Sequence, residues 1–148
     1  MVSKPMKIGG ASGNVVLVRN EDLKDNLVAL KAEAEITSLA FSSKGDFLAC
    51  GANDTNPMLY SVLKDESITV RPGHESSVKN VFFDPTDSLL CSTGCEGVLH
   101  IYSVDLILAK SSNSLLKAYK ICRDTKLFEP QQLRSAWYSS LLSFVLFN

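Results

Sequence analysis

The chain has 148 residues, of which 45% are hydrophobic, and its 15 basic and 16 acidic residues leave a formal net charge of −1 at pH 7. This length fits one domain with a buried apolar core. Neither sign of charge forms a block along the chain, so composition argues against a surface for binding nucleic acid or a membrane. The longest apolar stretch, residues 141–147, is far shorter than the roughly 20 residues of a membrane-spanning helix. It is interpreted as a buried strand.

The start of the chain is charged but no apolar stretch follows, so no secretory signal peptide is predicted. Without such a signal, the four cysteines suit a reducing, intracellular compartment, either the nucleus or the cytoplasm. Cys91 and Cys95 lie four residues apart and no CxxC pair occurs elsewhere, which argues against a zinc site. The sequence therefore predicts an intracellular protein with no metal and no cofactor.

A self-repeat of 42 residues runs through the first two-thirds of the chain (96 − 54 and 102 − 60). Asp54 and Tyr60 recur as Glu96 and Tyr102 without any gap, and one further step back places the end of an earlier copy at Val18. A period of about 40–45 residues is typical of β-propeller blades. The repeat therefore predicts an all-β partial propeller, with two four-stranded blades and an incomplete blade at each end.

The earliest copy contains a glycine-rich segment, residues 9–13. It lacks the lysine and the following helix of a phosphate-binding loop, so it is predicted to be a hairpin turn. The first full copy has apolar and β-branched runs separated by turn residues, which predicts four strands. Proline cannot donate a ladder hydrogen bond, so the third strand, at 57–62, should either start late or present Pro57 to a sheet edge. The predicted strands are an outer strand of the earlier copy at 28–30 and then 35–41, 47–51, 57–62 and 67–70.

The second full copy repeats this pattern with strands at 77–83, 88–93 and 98–102 and an outer strand at 106–109. Residues 114–123 fit either a helix or an extended segment, and the pattern does not distinguish them. Residues 134–137 with the following apolar run are interpreted as the start of another blade. These boundaries divide the chain into a partial propeller, 1–109, and an irregular segment with a truncated blade, 110–148.

The second copy resembles a WD40 repeat. It carries Gly73-His74 before an apolar strand, then Asp84-Pro85, then Glu96-Gly97, and it ends on Ile101-Tyr102-Ser103. In that family the Gly-His pair, a turn Asp, a Ser or Thr and a terminal Trp commonly form a hydrogen-bonded set within the blade. The resemblance implies that His74 and Glu96 are partners and that Tyr102 takes the Trp position. Glu replaces Asp here, Tyr replaces Trp, and Ser103 replaces the final Asp of the pattern.

The first copy keeps the turn Asp, but Lys31-Ala32 stands where the family has Gly-His. The resemblance implies a structural role within the blade for six positions: Asp54, Tyr60, Gly73, His74, Glu96 and Tyr102.

A narrower resemblance joins the chain to the N-terminal WD domain of the replisome adaptor family, whose metazoan members add a C-terminal HMG box. Its order of features matches at 7–10, 25–28, 36–41, 83–97 and 120–123, and these 148 residues contain no HMG box. This resemblance implies a fragment of a chromatin-associated DNA replication adaptor, located in the nucleus and indirectly associated with DNA. The alternative is a WD40 subunit of another intracellular assembly, such as a ubiquitin ligase, an RNA-processing complex or a signalling scaffold.

No catalytic motif stands out: the chain has no Gly-x-Ser-x-Gly elbow, no HExxH pair and no phosphate-binding loop. His74 and His100 are interpreted as structural, and Glu96 and Asp54 as turn residues because they occupy equivalent turns. The favoured function is a non-catalytic platform whose rim loops bind proteins, ahead of a nucleic-acid-associated adaptor and an enzyme. Since a propeller needs about 4–8 blades to close, an arc with open ends is expected to aggregate or oligomerise when expressed alone.

Overall fold

A computed structural model describes residues 6–9, 13–18 and 27–121, which form three antiparallel sheets. Sheet one has three strands in the order β1-β2-β3, and its first two strands form a hairpin around the glycine-rich segment. Gly13 adopts a positive φ of 75° at the start of the second strand. The strands are β1 (Met6–Gly9), β2 (Asn14–Val18) and β3 (Leu27–Lys31).

Sheets two and three each have four antiparallel strands, in the orders β4-β5-β6-β7 and β11-β10-β9-β8. This confirms the predicted blades. Sheet two contains β4 (Ile36–Phe41), β5 (Phe47–Ala52), β6 (Met58–Ser61) and β7 (Glu66–Thr69). Sheet three contains β8 (Val78–Phe83), β9 (Leu89–Gly94), β10 (Val98–Ser103) and β11 (Leu115–Lys120).

The outer strand predicted at 106–109 is wrong, because a short helix, α1 (Val104–Leu108), lies there. Ser103 caps this helix, since its Oγ accepts a hydrogen bond from Leu106 N at 3.3 Å, and the helix buries Val104 and Ile107 in the core. The fourth strand of sheet three is instead β11, so the blade extends beyond residue 109. Cys122 and the predicted blade start at 134–147 lie outside the described residues.

Pro57 limits β6 in the first of the two ways predicted, a late start. The strand begins at Met58, and the carbonyl oxygen of Pro57 accepts a hydrogen bond from Val70 N at 2.8 Å, so the residue bonds only through its acceptor.

The first turn of each blade repeats in structure although its residues differ. Ser42 Oγ accepts a hydrogen bond from Phe47 N at 3.0 Å, and 42 positions later Asp84 Oδ1 accepts one from Leu89 N at 2.7 Å. The turns also place Gly45 and its equivalent in the left-handed region, with φ of 81° and, at residue 87, 61°. Aspartate tolerates this conformation better than most residues because its short side chain bonds locally.

The sheets stack face to face. Alternate residues of each strand point to opposite faces, so a sheet with apolar residues at successive positions can pack against a neighbour on each side. Sheets one and two share a cluster in which Val15 meets Leu48, Cys50 and Tyr60. Sheets two and three share the largest cluster, which joins Ala49, Leu59 and Val70 to Val78, Val81, Leu90 and Tyr102. Each fully buried Val or Leu side chain contributes about 1.5–3 kcal/mol relative to an exposed one. The interfaces between sheets are therefore the core of the molecule.

Polar contacts fix how sheet three sits on sheet two. Thr37 Oγ1 donates to Val78 O at 2.7 Å, and Val81 N donates to Ser38 Oγ at 3.2 Å. At the turns, the carboxylate of Asp87 accepts hydrogen bonds from two backbone N–H groups of the preceding blade, at 2.6 and 3.1 Å. Because these bonds need specific partners, they set the register between the two inner strands as apolar packing alone would not.

Candidate interaction face and its hydrogen-bond network

Three loops meet at one end of sheets two and three. His74 N donates to Thr55 O at 2.6 Å, and Cys95 N donates to Ser77 O at 2.9 Å. A side-chain bond from Ser77 Oγ to Asn53 Oδ1, at 2.7 Å, adds a further link. We call the surface that they form the loop face; it comprises residues 53–57, 71–77 and 95–97.

The loop face presents polar and charged side chains of both signs to solvent. Asn53, Thr55, Arg71, Pro72 and Glu75 are exposed there. Surfaces of this kind, carried on loops and held by a rigid sheet, are common sites of protein recognition.

A buried histidine supports the loop face from below. His74 is 6% exposed, and its Nδ1 hydrogen-bonds to Glu96 Oε1 while its Nε2 lies 2.6 Å from Ser92 Oγ. Each residue belongs to a different segment: the loop before β8, the turn after β9, and β9 itself. The histidine thereby joins two loops to a central strand.

Glu96 fits this position because Gly94 leaves room for its longer side chain. A Cβ at Gly94 would overlap the carboxylate of Glu96. In the first copy the equivalent positions are Ala52 and the shorter Asp54, 42 residues earlier. The chain thus pairs the long acid with glycine and the short acid with alanine.

Ser76 completes the environment of Glu96. Its hydroxyl donates to Glu96 Oε2, and its Oγ accepts from Glu96 N at 2.9 Å. Burial acts to raise the pKa of Glu96, but the hydrogen bonds from Ser76, from its own backbone N–H and from His74 outweigh it and hold the pKa below its usual value. Glu96 is therefore a stable carboxylate acceptor at neutral pH.

Tyr102 closes the network on the side of the blade interface. It is fully buried, and its hydroxyl donates to Pro72 O at 2.9 Å, which ties the loop before β8 to β10. Burial raises the pKa of Tyr102 to about 12, so the phenol keeps its proton. Tyr102 therefore buries its ring in the blade and also bonds the loop before β8 through its hydroxyl.

His100 stacks on His74, with ring centroids 4.1 Å apart and an interplanar angle of 11°. Its Nδ1 lies 2.9 Å from the Tyr102 hydroxyl. Because that hydroxyl donates its hydrogen to Pro72, the hydrogen between the two side chains belongs to His100 Nδ1. Burial and, to a smaller extent, the nearby His74 lower the pKa of His100 to about 4, against an opposing effect of Glu96. His100 is therefore neutral at pH 7.

The first copy does not repeat this network. Ala32 is buried where the second copy has His74, so no imidazole reaches the turn. Asp54 Oδ1 instead accepts from Asn56 N at 3.0 Å, and the Tyr60 hydroxyl donates to Asp65 Oδ1 at 2.6 Å. Of the six positions singled out in the sequence, the structure brings His74, Glu96 and Tyr102 into one network. Gly73 lies in the loop before β8, against Thr55 and Asn56, and Asp54 and Tyr60 make separate local contacts.

Three members of the network were not assigned from sequence: Ser76, Ser92 and His100. A single serine gives no signal of its own. The family pattern contains a Ser or Thr, but only the register of β9 identifies it as Ser92. His100 is recognisable as a member of the network only when two facts are combined: it shares a face of β10 with Tyr102, and His74 lies against that face.

Ser92, His74 and Glu96 are connected in the order of a serine-hydrolase triad, in which a histidine links a serine to a carboxylate. Ser92 is 0% exposed and His74 is 6% exposed, so a substrate cannot reach the hydroxyl. The network instead holds the loops in place.

Within the described ranges no cluster of three or more His, Cys, Asp or Glu could hold a metal ion. The same ranges contain no helix of the length and apolarity required to cross a bilayer.

The comparison with known families decides the assignment. A family model described as "WD domain, G-beta repeat" matches residues 25–61 and 65–103, just over half of the chain. The chain belongs to this WD-repeat family. The resemblance found in the second copy is confirmed, and the family consists in general of non-catalytic interaction scaffolds.

Several curated proteins are similar to the chain at low identity. WD repeat and HMG-box DNA-binding protein 1 of Mus musculus is 28% identical over 57% of the chain and 8% of its own length. A component of chromatin assembly factor 1 of Gallus gallus is 22% identical over 47% of the chain and 12% of its length. The beta-5b component of guanine nucleotide-binding protein of Danio rerio is 28% identical over 62% of the chain and 26% of its length. The chain thus spans about a quarter or less of these relatives.

Solved WD-repeat structures share the fold. The structure of U3-55K superposes with a TM-score of 0.68 over 82% of this chain and 37% of that one, at 16% identity. The structure of the RRP9 WD40 repeats gives a TM-score of 0.69 over 82% and 36%, at 15% identity. At this identity the likeness concerns the propeller fold alone, and it confirms the fold class.

Proposed function

We propose that the chain is a protein-interaction module whose loop face binds a protein partner. The observation that supports this most is the convergence of three loops on the His74 network, which holds an exposed polar surface in one shape without offering a reachable nucleophile. Preformed loops lose less conformational freedom on binding than mobile ones. A surface so prepared suits recognition of a protein or peptide.

The partner class that we favour is a chromatin-associated DNA replication assembly in the nucleus. The support comes from the relatives. The chain is similar to WD repeat and HMG-box DNA-binding protein 1 of three organisms, Mus musculus, Xenopus laevis and Homo sapiens. The chromatin assembly factor 1 relative points in the same direction. In this proposal the module acts as an adaptor and contacts proteins rather than DNA, since the chain carries a net charge of only −1.

A second candidate is a component of a signalling assembly. The observation in its favour is the similarity to the beta-5b component of guanine nucleotide-binding protein, which covers 62% of the chain. The two candidates predict different partners for the same loop face, so one experiment separates them.

The test is affinity capture of the tagged chain from cells, with a charge reversal on the loop face and a matched control. Arg71→Glu changes an exposed loop-face residue, whereas Lys44→Glu makes the same charge change at an exposed turn on the opposite end of sheet two. Replication and chromatin proteins should be enriched, and Arg71→Glu should reduce them at least about fivefold while Lys44→Glu leaves them unchanged. Enrichment of G-protein components would favour the second candidate.

Equal binding by both variants would contradict the assignment to the loop face. Direct DNA binding is tested separately by a gel-shift titration with duplex DNA at two salt concentrations. A salt-dependent shift at micromolar protein would contradict the adaptor role without DNA contact.

A further inference from the structure

The outer edge of sheet three is formed by β11, whose only neighbour in the described part of the sheet is β10. Ile121 N donates to Gly97 O at 2.8 Å, and bonded residues alternate along an antiparallel ladder. Residues 119 and 117 are therefore bonded to β10 as well. It follows that the backbone N–H and C=O groups of Ala118 and Lys120 point away from β10, toward the outer edge.

The side chains along this edge are open to solvent. Among the described residues three large hydrophobic side chains are exposed, and two of them lie here: Leu116 is 50% exposed and Ile121 is 41% exposed. Ala118 between them is exposed as well. The outer strand of sheet two, β7, is shorter and exposes the polar Ser67 and Thr69 instead. The two outer edges therefore differ, and only that of sheet three presents apolar surface.

The edge of β11 is also positively charged. Residues 106–121 contain three lysines and no aspartate or glutamate. Lys110 donates to Glu66 Oε1 at 2.6 Å, whereas Lys117 and Lys120 have no ion-pair partner among residues 6–9, 13–18 and 27–121. Two lysines without an acidic partner thus stand beside backbone groups that point out of the sheet.

These lysines determine which kind of strand can pair with the edge. Lysines on an edge strand oppose pairing between copies of one chain, because like charges meet. A strand with acidic residues at the matching positions gains from the same charges. The register also skips Leu116, so a bulge interrupts the ladder there and the regular edge runs from 117 to 121. The edge therefore favours an acidic segment of another protein over a second copy.

We propose that the edge of β11 binds an extended acidic segment of a partner protein, which adds to sheet three as a further strand. Such strand addition takes its affinity from backbone hydrogen bonds and its specificity from side chains. This inference goes beyond the proposed function and does not depend on it, because the loop face is a different surface.

The positions of the lysines define the partner sequence. Alternate residues of a strand point to opposite faces, so Lys117 and Lys120 lie on opposite faces of the sheet. An antiparallel partner meets them with two acidic residues three positions apart. The residue just before the first acid lies opposite Ile121 and should be apolar. The expected pattern is apolar, acid, any residue, any residue, acid.

The first test measures binding of labelled peptides to the full chain by fluorescence anisotropy. The probe contains Val-Glu-Thr-Val-Glu between terminal serines, one control has lysine in place of both glutamates, and another has the same composition with the glutamates adjacent. The probe should bind at least about tenfold more tightly than either control. Equal binding of the probe and the adjacent-glutamate peptide would contradict the register, and equal binding of the lysine peptide would contradict the charge.

Charge reversal on the protein tests the same contacts from the other side. Lys117→Glu with Lys120→Glu should weaken binding of the probe at least about tenfold. Lys64→Glu with Lys79→Glu makes the same change in net charge at two exposed lysines away from β11 and should leave binding within about twofold. An equal loss in both double variants would show attraction by net charge alone and would overturn the proposal.

Amide hydrogen exchange, read by NMR, locates the bound strand. In the free chain the outward amides of Ala118 and Lys120 should exchange quickly, and saturating probe should slow both at least about tenfold while Ser67 and Thr69 on β7 stay unchanged. Protection of other strands without these two amides would contradict strand addition at β11. Slow exchange of both amides in the free chain would overturn the proposal too, since the edge would already be covered by this chain or by a second copy.

Discussion

Sheets two and three are two versions of one blade, and they reach the same backbone through different side chains. The serine that closes the first turn of sheet two becomes Asp84 in sheet three, and Gly45 becomes Asp87. The buried Ala32 becomes His74, which brings a hydrogen-bond network with it. Alternation and turn geometry therefore suffice to form a blade, and the histidine network is an addition that holds the loop face.

The largest expected effect comes from removing the histidine that sheet two lacks. His74→Ala should lower the free energy of unfolding by about 2–3 kcal/mol, because it removes the hydrogen bonds that His74 makes with the Glu96 carboxylate and with Ser92. Urea denaturation of the full chain measures this. A loss below about 0.5 kcal/mol would mean that the stability of sheet three, like that of sheet two, does not depend on the histidine network.

Giving sheet three the alanine and aspartate of sheet two tests why the two sheets differ at positions 94 and 96. Gly94→Ala should destabilise the fold by about 1–3 kcal/mol, because the new Cβ meets the Glu96 carboxylate. Adding Glu96→Asp recreates the alanine–aspartate pair of the first copy at 52 and 54 and should recover part of the loss. A double-mutant cycle by denaturation measures the coupling, and additive effects would contradict the steric explanation.

Acid should affect sheet three more than sheet two, because only sheet three buries a histidine that stays neutral. The folded-state pKa of His100, about 4, lies below the ordinary value of 6.5, so the unfolded chain binds the proton more readily. This contribution is complete above pH 6.5 and is lost as the pH falls toward 4. Since the ring is half-buried, solvent screening reduces it to about 1–2 kcal/mol.

The check is the free energy of unfolding between pH 5 and 7 for the wild-type chain and for His100→Gln. The variant should remove part of the pH dependence while keeping a polar side chain over His74. Parallel curves for the two proteins would contradict the role given to His100.

The smallest expected effect is a gain. Thr93→Val replaces a buried hydroxyl that lacks a partner among the described residues with a methyl group of similar shape. Stability should rise by about 1 kcal/mol, because the desolvation penalty of the unpaired hydroxyl disappears. Thr37→Val is the matched control, since the Thr37 hydroxyl donates to Val78 and its loss should destabilise. A thermal melt of both variants distinguishes the two hydroxyls.

The period, the alternation of apolar residues and the turn residues were enough to predict the two blades. Pro57 left two alternatives for its strand, and the structure has the late start, at Met58. They failed at 104–108, because a short apolar run fits a buried strand or a helix equally well. The decisive features there are the Ser103 cap and the burial of Val104 and Ile107, which are visible only in three dimensions.

For the site, the family pattern pointed to His74 and Glu96, whereas the reason that a glutamate can stand there lies in Gly94. A residue whose contribution is a missing Cβ gives no signal in the sequence. The stack of His100 on His74 likewise depends on the register of β10 against the neighbouring loop, and sequence spacing alone does not supply that register.

The most direct test of the stacked blades is an NMR measurement of contacts between β8 and sheet two. Gly51 lies against the side chains of Val78 and Val81, so its Hα protons should show nuclear Overhauser effects to the methyl groups of both valines. The account predicts these effects in the full chain together with the ordinary cross-strand effects within each sheet. Cross-strand effects within each sheet, with none between Gly51 and either valine, would contradict the stacking of consecutive repeats.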